Sequence, residues 1–204
     1  MPKFKKAQDT DIPVEKVREI FNLEDSVVYQ SCKKPLGVAR DLFLLSFCLL
    51  GTNAKDLYEC TANKDGRLTY YRAKTKDRRD DMAKMSIKIE PEIMPLFEKY
   101  RDKTGKRVFC FYQMYDTAEI FNNIISRGIK LLREIIGVDY LIFYSARHSF
   151  ASIARNDVKI DKYTVHEMLN HVDREMKVTD TYIRKDWSVF DAANRKLLDF
   201  VLKK

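Results

Sequence analysis

The chain has 204 residues, 45% of them hydrophobic and 12% aromatic, which is enough to bury one sizeable core and points to a single domain. Lys and Arg number 38 against 30 Asp and Glu, and the resulting net charge of +8 suits a polyanionic partner. The longest apolar run, Leu42 to Leu50, is interrupted by Ser46 and is too short to span a bilayer, which argues against a membrane role.

Residues 1–11 are polar and basic (Lys3, Lys5, Lys6) and read as an arm or linker remnant, with the folded domain expected over 12–204. A helix is expected from Asp11-Ile12-Pro13-Val14-Glu15, with Pro13 in its first turn and Val14, Val17, Ile20 and Phe21 as its apolar stripe. Gly37 to Leu50 reads as a core helix that stops at Gly51. Leu57-Tyr58-Glu59-Cys60 is a possible first strand, followed by the turn Asn63-Lys64-Asp65-Gly66 and a second strand over 67–73. Met85, Ile87 and Ile89 then alternate with Ser86 and Lys88, the period of a half-buried strand. Further helices are expected over 91–100, 116–136 (apolar positions Ile120, Ile124, Leu131 and Ile135), 145–155, 162–169 and 188–202. The fold class is therefore mainly α with a small antiparallel three-stranded β-sheet (α+β). Cys32, Cys48, Cys60 and Cys110 are scattered, without the paired spacing of a zinc site, and read as reduced thiols of a cytosolic protein.

Three clusters in the C-terminal third carry chemistry: Tyr144-Ser145-Ala146-Arg147-His148, Leu169-Asn170-His171, and Thr179-Asp180-Thr181-Tyr182-Ile183. A tyrosine hydroxyl can attack a phosphodiester and form a covalent intermediate. Fixed cationic donors such as Arg and His stabilise the added negative charge on pentacoordinate phosphorus.

The order and spacing of these clusters resemble the catalytic domain of the tyrosine recombinase (phage integrase) family, with its His-x-x-Arg-His box, its Leu-Gly-His box and a tyrosine nucleophile near the C-terminus. The resemblance covers nearly the whole chain and implies a mainly helical catalytic domain. The separate DNA-clamping domain that normally precedes it is expected to be absent here. It implies Tyr182 as nucleophile, Arg147 and His171 on the non-bridging phosphate oxygens, and Lys74 as the acid that protonates the departing 5′-oxygen. It also implies double-stranded DNA as partner, assembly of four protomers on two duplexes from a monomer, and a cytoplasmic, nucleoid-associated location. No metal, ATP or other cofactor is required, because bond energy is kept in the 3′-phosphotyrosyl link. Lys76, Arg78 and Arg79 are expected to grip the DNA backbone. His148 is expected to pack and His166 to face solvent.

Three positions depart from the family pattern. Tyr144 stands in place of the first histidine and is expected to have a positional role. Asn170 stands in place of glycine, where it reads as a turn detail, since Asn tolerates the left-handed region. Gly51-Thr52-Asn53-Ala54-Lys55-Asp56-Leu57 matches the frame of the family's first arginine, with Asn53 in the arginine's place. Arg72 is the candidate replacement, on the argument that residues two apart in a strand share a face and Arg72 should therefore look the same way as Lys74. Lys55 and Arg40 are weaker candidates. The leading reading is a strand-exchange enzyme of a mobile element. A type IB-like topoisomerase, a DNA-binding module of integrase descent with weak or no catalytic activity, and a helical interaction domain without DNA are the alternatives. The amphipathic segment 188–202 is open to docking on its own domain or on a neighbouring protomer.

Overall fold

Helix α3 (Lys34–Cys48) is apolar on nearly every side, so it can be stable only with other elements wrapped around it, and it is buried along almost its full length. The computed structural model describes residues 10–29, 34–79, 81–172, 176, 179 and 182–203. The expected basic arm (apart from residues 10 and 11), Cys32, Asp180 and Thr181 lie outside them.

Helix α1 (Val14–Phe21) follows Pro13 and buries Val14, Val17 and Ile20, as its stripe predicts, and the single turn α2 (Asp25–Val28) leads to α3. The segment 57–60, expected as a strand, is instead helix α4 (Ala54–Glu59). Ala54, Leu57 and Tyr58 fall at i, i+3 and i+4 and bury one face, so helical spacing prevails over the strand propensity of a short apolar run.

The sheet follows, with strands β1 (Ala62–Lys64), β2 (Arg67–Tyr71) and β3 (Lys84–Lys88), antiparallel in that order. Asp65 (φ 53°) and Gly66 (φ 70°) are both left-handed and close a two-residue hairpin that pairs Lys64 with Arg67. Leu68 pairs with Ile87 and Tyr70 with Met85 on the core face. Ser86 on the other face is buried as well, because Arg67 lies over it and donates from Nε to its Oγ at 2.8 Å.

A 3₁₀ turn (Pro91–Ile93) precedes α5 (Met94–Lys99), and α6 (Phe111–Met114) leads to the long helix α7 (Ala118–Ile136), capped by Thr117 Oγ1. The buried stripe of α7 is Phe121, Ile125, Ile129, Leu132 and Ile136, one position round from the expected one, and Ile120 is 43% exposed. Gly128 sets this rotation: a Cβ there would lie 1.9 Å from Pro35 O and 2.5 Å from Ala39 Cβ, so only glycine lets α7 seat on α3. Helix α8 (Ser145–Ser152) runs into a π turn (Ile153–Asp157), and α9 (Lys162–Met168) follows.

The last helix, α10 (Trp187–Leu202), packs on its own domain through Phe190, Ala193, Leu197, Leu198 and Val201. Polar contacts fix it there. Asp191 takes the Arg67 guanidinium on both oxygens (2.6 and 3.1 Å), Asn194 Nδ2 donates to Cys48 O at 3.0 Å, and Arg195 Nη1 reaches Glu90 and Glu92 at 3.0 and 2.9 Å. At its far end Arg18 donates to the carbonyls of Phe200 (2.8 Å) and Val201 (2.9 Å), in the last turn of the helix. Among the described residues no helix is long and apolar enough to cross a membrane.

Candidate active site

Arg147 enters in the first turn of α8, on the inward face with Ser145 and Phe150, and is buried. Gly51 lies flat against it at φ 68°, where a Cβ would stand 2.7 Å from Arg147 Cγ and 2.9 Å from its Cα. Arg147 Nη1 donates to Gly51 O at 3.0 Å, Nη2 donates to Leu169 O, and Nη2 lies 3.3 Å from His171 Nε2. Burial and then the nearby charge of Arg72 lower the Arg147 pKa from its ordinary value, yet a guanidinium stays charged at neutral pH.

His171 is presented by the turn that ends α9. Asn170 is left-handed (φ 54°), its N–H donates to Glu167 O at 2.7 Å, and the His171 N–H donates to His166 O at 3.1 Å. The helix end is thus closed by backbone, and the His171 ring is free for another role. It meets the ring of His166 edge-on at 5.2 Å. Although His171 is exposed as a residue, partial loss of water around its ring, followed by the charges of Arg147, His166 and Arg72, pushes its pKa down to about 4. The ring is therefore neutral at pH 7. Facing a guanidinium that can only donate, Nε2 is the acceptor and the proton belongs on Nδ1.

Arg72 joins this cluster from the end of β2, but by a different route from the expected one. Strand β2 ends at Tyr71, and a turn from Arg72 O to Thr75 N (3.0 Å) follows, so Arg72 and Lys74 do not share a face. Arg72 is buried, its N–H donates to Ala83 O at 3.2 Å, and Nη1 donates to Asn170 O at 3.3 Å. Lys74 is exposed. Asp56 holds the chain here by accepting the Ala73 N–H at 2.9 Å. Its own pKa is raised by burial, against the opposing pull of that bond, of Asn53, and of the Arg72 and Arg147 charges.

The other candidates to fill the gap at Asn53 are engaged elsewhere. Arg40 is paired with Asp25 (2.7 Å) and Asp41 (3.1 Å), and Lys55 with Glu59 (3.8 Å). Asn53 itself is the N-terminal flanking residue of α4, with Nδ2 3.5 Å from Asp56 Oδ2.

The structure thus brings Arg147, His171 and Arg72 together. Tyr144 is exposed at the start of α8, stacked edge-on against His148 at 4.8 Å, which gives His148 the packing role expected of it. Lys76 and Arg78 are exposed, whereas Arg79 is committed, with Nε and Nη2 on the Asp81 carboxylate and Nη1 on Asn170 Oδ1 at 2.7 Å. Tyr182 is 84% exposed and makes no hydrogen bond to the cluster among the described residues.

Sequence reasoning missed two neighbours. His166, expected in solvent, is partly buried against His171, which a chain reversal at Asn170 would have implied. Tyr70 is buried with its hydroxyl 3.3 Å from Thr52 Oγ1, and the charges of Asp56, Arg147 and Arg72 all act on it. Its alternation with Leu68 and Arg72 was the available signal. Two buried guanidiniums around one backbone turn, beside an imidazole whose Nε2 becomes a donor once protonated, form a rigid set suited to a phosphate oxyanion. Among the described residues no group of three His, Cys, Asp or Glu side chains could hold a metal ion. No protein-family model matches the chain, and neither a curated protein nor a solved structure matches it.

Proposed function

We propose that the chain is the catalytic portion of a tyrosine-type DNA recombinase, with that family's catalytic-domain fold, which cleaves and rejoins strands during integration or excision of a mobile element. The observation that carries the reading is the meeting of Arg147 Nη2 and His171 Nε2 at 3.3 Å, from two boxes 24 residues apart, with Arg72 bound to the intervening Asn170 carbonyl.

In this reaction the Tyr182 hydroxyl, open to solvent, gives up its proton to water as its oxygen attacks the scissile phosphorus. Arg147 and Arg72 hold the non-bridging oxygens, and His171, protonated beside the phosphate charge, donates to the same phosphate. The 5′-oxygen leaves with a proton from Lys74, on the exposed turn after β2. A 3′-phosphotyrosyl link and a free 5′-hydroxyl result, and attack by a 5′-hydroxyl from another strand reverses the step. Tyr144 positions the phosphate, Lys76 and Arg78 grip the backbone, and Arg79 adds its charge beside them while held by Asp81 and Asn170. Four protomers on two duplexes act in a nucleoid-associated assembly.

A second reading, a DNA-binding module of the same descent without activity, is favoured by one observation. The Arg147 guanidinium is already occupied by the Gly51 and Leu169 carbonyls, while Tyr182 stands in solvent. The test is incubation with a nicked suicide duplex. An SDS-stable adduct that disappears in Tyr182→Phe supports the enzyme. Salt-dependent binding with no adduct supports the module, and no salt-dependent binding overturns both.

A further inference from the structure

The amide of Asn170 is 4% exposed and meets the hairpin with both of its ends. Nδ2 donates to Ala83 O at 2.8 Å, and Oδ1 accepts from Arg79 Nη1 at 2.7 Å. The reverse orientation would set an NH2 against a guanidinium and an oxygen against a carbonyl, so the assignment is fixed by its partners. The hairpin is shaped to receive it. Met82 and Ala83 are both left-handed (φ 50° and 52°), and Asp81 Oδ1 accepts the Ala83 N–H at 2.9 Å while the same carboxylate holds Arg79. The Ala83 carbonyl is also the acceptor for the Arg72 N–H.

We propose that Asn170 is a positioning residue whose side-chain amide latches the β2–β3 hairpin to the end of α9, so that Arg72 and His171 are held as one unit. The inference rests on the recombinase reading for its consequence in catalysis. The chemistry demands this side chain. Glycine would accept the same backbone without strain but would supply neither bond, and aspartate would supply the acceptor without the donor. One acceptor, the Ala83 carbonyl, is thereby shared by the backbone of the proposed phosphate-holding arginine and by the residue preceding the proposed phosphate-binding histidine. Displacing the hairpin moves Arg72 away from His171 and removes one of the charges that keep that ring neutral.

The experiment compares the parent chain with Asn170→Gly by single-turnover cleavage of the suicide duplex, by DNA binding, and by NMR titration of the His171 ring without DNA. Asn170→Gly is expected to bind DNA as the parent does and to cleave roughly 10- to 100-fold more slowly, the cost of a small misplacement of reacting groups. Its His171 is expected to titrate at higher pH than in the parent. Arg79→Gln, which removes the partner from the hairpin side, should raise the His171 titration in the same way, read without DNA so that contact of Arg79 with the DNA backbone plays no part. The double variant should raise it no further than the larger single shift. Cleavage by Asn170→Gly within about twofold of the parent, or an unmoved His171 titration, overturns the latch. If the parent itself forms no adduct, the recombinase reading fails, and the titration alone decides whether the latch exists. If Asn170→Gly does not fold, the His171 titration in Arg79→Gln decides: a rise supports the latch and an unmoved titration overturns it.

Discussion

The Gly51 carbonyl accepts a hydrogen bond from Arg147 Nη1 at 3.0 Å, across 96 residues of sequence, and the Gly51 α-carbon lies flat against the same side chain. The contact leaves no volume for a methyl group, and the positive φ already disfavours one. Gly51→Ala should therefore act twice. Denaturant unfolding is expected to show a loss of about 1–3 kcal/mol from strain and overpacking. On the proposed recombinase reading, cleavage should also fall by roughly 100-fold through displacement of the guanidinium, measured in single turnover at saturating DNA.

Arg72 is the residue on which the departure at Asn53 turns. If it supplies the second guanidinium, Arg72→Ala should lower the cleavage rate by about 100- to 1,000-fold with little change in DNA affinity, the signature of an interaction made in the transition state. Arg72→Lys should recover only part of the loss, since an ammonium cannot offer two parallel donors. An Arg72→Ala variant that cleaves at the parent rate would remove Arg72 from the site.

The depressed pKa of His171 makes a prediction about acid stability. Between the ordinary value of 6.5 and about 4, the unfolded chain holds a proton on this ring that the folded chain does not. Stability from this group is thus fully present above pH 6.5 and is lost progressively as pH falls towards 4. In His171→Gln the thermal midpoint should fall less steeply across that window. A phosphodiester beside the ring would favour its charged form. Duplex binding by the parent at about pH 6 should then take up more proton than binding by His171→Gln, as read by calorimetry in buffers of different ionisation enthalpy.

Helix α10 is part of its own domain's core. Leu197 is fully buried there, and Leu197→Ala should cost about 2–5 kcal/mol. Because the contact is intramolecular, the loss should be the same at low and high protein concentration. A loss that shrinks as the protein is diluted would point instead to packing between protomers.

Helix α3 was legible as a long apolar segment ended by Gly51, and periodicity made α1 and α10 legible, because each of these two buries the stripe its sequence advertises. It failed where the deciding partner was distant. The rotation of α7 is set by Gly128 against Pro35, and nothing near Ile120 announces that contact. At α4, the short stretch Leu57-Tyr58-Glu59-Cys60 carries strand and helix signals together, and burial against the core decides between them. The site divides in the same way. Arg147 and His171 sit in compact boxes that make them legible. Arg72 is legible only for a reason that does not hold, since the strand stops before it. The side chain of Asn170 is not legible at all, because a turn position states what backbone it needs and nothing of what its amide will meet.

The grip of Arg18 on the last turn of α10 has a mechanical consequence. The first and last helices are buttoned together, and α10 is clasped in turn to the base of the hairpin through Asp191 and Arg67. A tug arriving through the polypeptide ahead of Pro13 is therefore borne by α10 as well as by α1, and is handed on towards the loop that carries Arg72.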